Sequence, residues 1–368
     1  MKKKNLCKTL LKTICIVLGI LILALLAYIV YLYASYYRIE DNQELVVEAP
    51  VDDTATGAAA VLATDTEYSA VTYNIGFGAY LPDYSFFMDG GTSSWAESPE
   101  TVQYAINGAG ELVKSLDPDF ALIQEIDLDA TRSYHTDEYE MLRNLLPEYT
   151  TVFAQNYDSA FLFYPFAQPH GSSRAGLGLF SKYPVSSALR RSFPISTSFS
   201  KFFDLDCCYS VSRIPVDNGK ELVIFNLHMS AYGNSDAIRK GQIEMLCNDM
   251  AKEYEAGNYV LCGGDFNHDL KASEEDTESC ESWAFPFPRT ELPEHFAFCL
   301  DLLSTEEQAA LWNSARNADM EYVPGVTYTV TLDGFIISDN IECLSYENVN
   351  TGYSYSDHDP VKMEFVLK

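Results

Sequence analysis

From Thr13 to Tyr33 the chain carries no charged side chain. Twenty-one residues at helical rise make about 30 Å, the hydrocarbon thickness of a bilayer. Lys2, Lys3, Lys4, Lys8 and Lys12 precede the run, and Arg38-Ile39-Glu40-Asp41 lies just after it. The bias of basic residues toward the cytoplasmic side makes residues 1–12 a cytoplasmic tail and residues 13–33 a single-pass anchor in the lipid bilayer. The rest of the chain is then extracellular, held at the plasma membrane. A cleaved signal peptide has a shorter apolar core, about 7–15 residues, that ends in small residues. Leu32-Tyr33-Ala34-Ser35-Tyr36 fits that ending poorly.

Beyond the anchor the chain is strongly acidic. Five of the 24 basic residues lie in the tail and all 53 acidic ones come after it, so the exterior part is more negative than the whole-chain charge of −29. Such a surface repels polyanions and lacks a nucleic-acid footprint, so DNA and RNA are disfavoured partners. No protein partner is inferable. Hydrophobic residues at 47% supply a sizeable core and exclude global disorder. Outside the anchor region, seven cysteines form an odd set without metal-type spacing, which reads mostly as buried small apolar residues and leaves room for one or two disulfides of unassigned pairing.

Residues 34–66, acidic and rich in small side chains, read as a stalk, with Leu45-Val46-Val47 as its one strand-like stretch. Residues 67–368 read as one large domain. Strand patterns fall at Ala70–Tyr73, Phe120–Gln124, Thr151–Ala154, Ala160–Tyr164, Gly178–Ser181, Tyr209–Ile214, Leu222–Asn226, Asn258–Cys262, Gly334–Ser338, Ile341–Tyr346 and Val361–Leu367. Helical patterns cover Thr101–Ser115, stopped by Asp117-Pro118, and Ser235–Tyr254. Some strands succeed one another across turns and others are separated by helices. That mixture predicts an α/β four-layer sandwich, two packed mixed β-sheets flanked by helices and preceded by the transmembrane helix.

Six polar motifs stand where an apolar strand meets a loop, the usual position of catalytic groups. They are Asn74; Gln124-Glu125; Asn226-Leu227-His228; Gly263-Gly264-Asp265-Phe266-Asn267; Leu332-Asp333; and Ser356-Asp357-His358-Asp359-Pro360. A carboxylate ending an apolar strand needs a cation, a hydrogen-bond network or solvent. A histidine there trades protons near neutral pH or donates to a phosphate oxygen. Asp265 and Asn267, two apart, can point the same way. Each motif alone is also an ordinary turn; His268 and Asp269 have only adjacency in their favour.

In this order the set resembles the endonuclease/exonuclease/phosphatase superfamily, which includes deoxyribonuclease I, apurinic endonucleases, neutral sphingomyelinases and inositol-polyphosphate 5-phosphatases. The resemblance spans about Ala70 to Lys368 and includes Gly178-Leu179-Phe180-Ser181-Lys182-Tyr183-Pro184. Gly334 departs from it, since an aromatic commonly comes after the motif aspartate. The resemblance implies a phosphoric ester hydrolase that uses Mg²⁺ or Mn²⁺, with Glu125, Asn74 and Asp357 as metal ligands. It implies His358 as general base or phosphate contact, oriented by Asp333. Asp265, with Asn267 beside it, would position or deprotonate the attacking water, and His228 would contact the phosphate. Arg132-Ser133-Tyr134-His135, Asn156-Tyr157-Asp158 and Ser172-Ser173-Arg174 are secondary candidates for the phosphate or the leaving group.

Three aromatic loops, 80–88, 199–203 and 283–288, either pack on the core or meet an apolar substrate or membrane. Anchor and acidity together favour a lipid-linked or small phosphodiester substrate, in the manner of a sphingomyelinase. A surface nuclease, a phosphomonoesterase and a catalytically silent binding module are the alternatives.

Overall fold

The computed structural model describes residues 2–52, 61–202, 205–231, 236–273 and 284–368. It divides into two units, Met1–Arg38 and Ile39–Lys368. The first holds helix α1 (Lys2–Ser35), of which Leu6–Ser35 is long and apolar enough to cross a membrane, with a mean hydropathy of 3.0.

In the second unit, one seven-stranded sheet has the order β1 (Gln43–Glu44), β7 (Ser187–Ser192), β8 (Cys208–Pro215), β9 (Glu221–His228), β10 (Tyr259–Asp265), β14 (Asp333–Ser338), β11 (Phe296–Phe298). The other runs β15 (Ile341–Asn348), β16 (Val361–Leu367), β3 (Glu67–Asn74), β4 (Phe120–Ala130), β6 (Ser173–Ser181), β5 (Thr150–Asp158), β2 (Val47–Glu48). A short ladder of β12 (Ala315–Arg316) with β13 (Thr329–Val330) stands apart from both. Each large sheet has one parallel pair among antiparallel neighbours, β9 with β10 and β3 with β4.

Alternation along β4 shows why its apolar run is continuous. Phe120 and Leu122 enter the core shared with the first sheet, whereas Ala121 and Ile123 face a second core. That second core is covered by α2 (Pro99–Leu116) and α3 (Glu138–Leu145) through Val102, Ile106, Val113 and Leu142. Helix α4 (Asp236–Glu255) covers the first sheet through Ile243, Leu246 and Met250. Two faces buried per strand select unbroken hydrophobic runs rather than alternation. Helix α2 starts where Ser98 caps Thr101 N at 3.1 Å ahead of Pro99, and stops at Asp117, whose φ of 47° ends the helix.

Two expectations are corrected. Residues 39–52 are no free stalk: β1 pairs with the edge strand β7 and β2 with the edge strand β5, and Leu62 is fully buried. The linker thereby covers one open edge of each sheet, which a sheet otherwise leaves as a template for aggregation. Residues 53–60 lie outside the described set. Ala160–Tyr164 forms only an isolated bridge, Leu162 to Gly171, with Phe163 and Tyr164 exposed. Its apolar residues belong to a loop ending at Pro165, which cannot donate to a ladder.

The aromatic loops are mostly packed inward. Tyr80, Tyr84, Phe86, Phe202 and Phe287 are buried, whereas Phe199 and Phe285 are exposed; Phe203 and Trp283 lie outside the described residues.

Candidate active site

Along β3 the inward positions run Tyr68, Ala70, Thr72, Asn74, from apolar to polar. The polar end meets the other sheet. Gln124 Nε2 donates to Asn226 Oδ1 at 2.8 Å and to Thr72 Oγ1 at 3.1 Å, and Asn226 Nδ2 donates to the Gly178 carbonyl at 3.0 Å. This clasp brings the strand ends of both sheets to one cleft of about 380 Å³, lined by Glu125, His228, Asp265, Asn267, Asp357 and His358.

Register sets the row of groups on the first sheet. Asp265 pairs with His228 on β9 and with Asp333 on β14, so three neighbouring strands carry three site residues side by side. Gly264 permits this closeness: a Cβ there would lie 2.0 Å from the Leu227 carbonyl oxygen, and its φ of 147° suits glycine. On the second sheet Glu125 sits in a register shift of β4 with φ at 56°, a bulge that re-aims its side chain into the cleft.

Asn74 Nδ2 donates to Glu125 Oε1 and to Asp265 Oδ2, both at 3.0 Å, while its Oδ1 accepts from Gly76 N at 3.0 Å. The side chain therefore clamps two carboxylates from different sheets. Its oxygen accepts one hydrogen bond and keeps a second lone pair, an arrangement compatible with the expected part of Asn74 as a metal ligand. Asn267 N donates to Asp265 Oδ1 at 2.8 Å and fixes that carboxylate from its other side.

His358 lies on a loop bridged to Ala315, with Arg316 N donating to the Asp357 carbonyl at 2.9 Å. Its Nδ1 is 2.7 Å from Asp333 Oδ2, which also accepts from Ser314 Oγ at 2.7 Å. That bond sets the ring so that Nε2 faces the cleft, 3.7 Å from Asp265 Oδ2. His228 Nε2 lies 3.7 Å from the same oxygen and 4.0 Å from Glu125 Oε1. Burial opposes the His358 cation, but the charges of Asp333 and Asp265 outweigh it and hold the imidazole well above its ordinary pKa. Asp359 accepts from Trp312 Nε1 at 2.8 Å and from Thr351, so its part is to fix this loop.

The donor set fits a divalent cation. Burial and the charge of Glu125 push the Asp357 carboxyl up to about 7 even though His358 pulls it down, and a cation beside Asp357 relieves that strain. Glu125 and Asp357 offer the hard oxygens that Mg²⁺ or Mn²⁺ takes. Asp265, Asp333 and His358 also present atoms within 4.8 Å of one another. There, however, Asp333 and His358 are already bonded to each other, which makes a proton-transfer pair.

Of the secondary candidates, Arg132, Asn156 and Tyr157 line the cleft. His135 and Arg174 are instead exposed and pair with Asp129. His268 is buried with Nδ1 2.6 Å from the Phe266 carbonyl. His170 and Arg316 line the cleft and were missed, because neither adjoins a strand-end motif. The space left by Gly334 is taken by Leu270 and Tyr346.

Residues 71–302 match the model of the "Endonuclease/Exonuclease/phosphatase family". The chain belongs to this family. Its members are usually phosphoester hydrolases and typically use a divalent metal. Among curated proteins none matches the chain. Solved structures share the family fold at low identity. The endonuclease/exonuclease/phosphatase from Beutenbergia cavernae is 15% identical with a TM-score of 0.55, over 82% of this chain and 72% of that one. The protein from Bacteroides vulgatus is 16% identical with a TM-score of 0.54, over 83% and 100%. ANGEL2, a 2',3'-cyclic phosphatase solved with adenosine-2',3'-vanadate, is 12% identical with a TM-score of 0.56, over 82% and 96%.

Proposed function

We propose that the chain is a membrane-anchored, divalent-metal-dependent phosphodiesterase that hydrolyses its substrate by in-line attack of water. One observation carries this reading: Asp265 Oδ2 stands 3.7 Å from the Nε2 atoms of both His228 and His358. That spacing exceeds hydrogen-bond range, so a water or a phosphate oxygen fits between carboxylate and imidazoles.

Asp265, held by Asn74 and Asn267, orients the attacking water and accepts its proton. His358 presents Nε2 to the phosphate, with Asp333 on Nδ1 fixing the ring and balancing its charge. His228 contacts a phosphate oxygen as negative charge grows there. A Mg²⁺ or Mn²⁺ ion, when held by Glu125 and Asp357, supplies further positive charge beside the phosphate. Division of proton transfer between Asp265 and His358 is the same question for both partners, since each faces the same space.

The basic tail before α1 supports an N-terminus in the cytoplasm and a catalytic unit outside the plasma membrane. The acidic exterior favours a lipid-linked or small phosphodiester over a long polyanion. A silent binding module is disfavoured by the completeness of the site.

The test is hydrolysis of bis-p-nitrophenyl phosphate by the full-length chain in detergent with Mg²⁺ or Mn²⁺. EDTA and His358→Ala should each abolish it, and an unimpaired His358→Ala enzyme would sink the reading. Sphingomyelin, plasmid DNA and inositol phosphates then separate substrate classes; DNA cleavage without lipid turnover would point to a nuclease.

A further inference from the structure

Past the reacting cluster, the cleft reaches a second set of polar side chains that the steps above leave unused. Arg132 is buried, with its guanidinium carbon 3.7 Å from the centre of the Phe77 ring. Its Nε and Nη2 donate to the two oxygens of Asp127, at 3.1 and 2.8 Å. The guanidinium is thus fixed on one edge and one face, and Nη1 has no protein acceptor among the described residues. Asn156, on β5 and only 2% exposed, lines the same cleft, and its amide too is without a hydrogen-bond partner among the described residues. His170, 5% exposed, has a buried Nδ1 that likewise finds no partner among them. Burial, with the Arg132 charge in support, pushes its pKa down to about 3, so it enters as a neutral ring. Phe86 and Phe87 flank it at centroid distances of 6.3 and 6.0 Å.

Buried polar groups left unpaired cost free energy, about 1–3 kcal/mol each, unless a ligand or water satisfies them. Here a guanidinium paired with Asp127, an amide and a neutral imidazole border one cleft, whose lining also includes Asp89 and Asp319. A guanidinium already held in place binds an anionic oxygen without further ordering. A quaternary ammonium has no acceptor atom, so it would leave the free Nη1 donor unsatisfied.

We propose that Arg132, Asn156 and His170 form a subsite for the group esterified to the reacting phosphate, and that this group is rich in acceptor oxygens and anionic, such as one bearing a second phosphate, rather than a choline-type cation. This rests on the phosphodiesterase reading and narrows it, turning the lipid-linked possibility away from sphingomyelin-like heads.

The experiment uses the full-length chain in detergent with Mg²⁺ or Mn²⁺ and compares kcat/KM for three chromogenic diesters. These are thymidine 5'-(p-nitrophenyl phosphate), the same compound with a 3'-phosphate, and p-nitrophenyl phosphorylcholine, with bis-p-nitrophenyl phosphate as reference. The 3'-phosphorylated diester should exceed the choline diester by about 10- to 100-fold, the worth of one hydrogen bond to a charged group. Asn156→Ala and Arg132→Lys should collapse that ratio toward one. General structural damage would lower both rates by the same factor and leave the ratio standing, which would overturn the subsite. Equal or better turnover of the choline diester by the unaltered enzyme would also overturn it. No turnover of the reference with either metal would instead bring down the phosphodiesterase reading itself.

Discussion

Replacing Asp127 by alanine isolates the energetics of a deeply buried ion pair beside the cleft. Asp127 is 0% and Arg132 7% exposed, and the pair is bidentate at 2.8 and 3.1 Å. Ser133 Oγ donates to the same carboxylate at 2.8 Å. Burial and the charge of Asp127 push the neighbouring Glu138 carboxyl well above its ordinary pKa. Removing Asp127 strands the guanidinium, and breaking a buried pair in this way costs about 3–5 kcal/mol. That is a large share of a typical stability of about 5–15 kcal/mol. Asp127→Ala should therefore shift guanidinium unfolding, monitored by tryptophan fluorescence, to much lower denaturant. Adding Arg132→Met removes the stranded charge and should recover most of the loss, since apolar replacement of a whole buried pair is often neutral. A double variant no more stable than Asp127→Ala would show that the loss came from packing or from Ser133, and the electrostatic reasoning would fail.

Three further outcomes are expected. Gly264→Ala should give insoluble or early-melting protein, because its methyl meets the Leu227 carbonyl at 2.0 Å on a parallel neighbour strand; a melting temperature like the parent's would refute the close-approach argument. Asp333→Asn should lower kcat by about 10²- to 10⁴-fold, the usual worth of a positioned acid–base group, with KM little moved; a kcat within threefold of the parent would remove the Asp333–His358 pair from the mechanism. His170 prefers to be neutral when folded, its pKa falling from 6.5 to about 3, so the unfolded chain binds the extra proton. Its contribution is intact above pH 6.5 and is lost as pH drops toward 3. His170→Phe should flatten the stability-against-pH curve in that window, and an unchanged slope would argue against a buried neutral ring.

Strand ends proved the most readable part of the sequence. Phe120–Ile123 and Leu222–Asn226 are buried on both faces, and such runs declare themselves without knowledge of their partners. The motif residues at their ends came together for the same reason, because register carries His228, Asp265 and Asp333 into one row. The second polar cluster was harder to read. Arg132 pairs with Asp127 within one chain turn, yet its nearness to Asn156 and His170 depends on β6 pairing with both β4 and β5. The pairing of β1 and β2 was hidden in an acidic stretch, since two-residue strands gain their hydrogen bonds from existing edges and not from their own pattern. Asn74 was found as a site residue, but only its bonded partners show that it clamps carboxylates.

The place of β16 has a consequence for the timing of synthesis. It comes last among the strands of the described residues, yet lies between β15 and β3 in the interior of its sheet. Until residues 361–367 have left the ribosome, β3 lacks one neighbour and the His358 loop has no anchor beneath it. A nascent chain would therefore carry Asn74, Glu125 and His228 long before the cleft that they border is complete. The sheet is completed by a single late strand insertion, and a translation pause before β16 would leave the domain with an open seam.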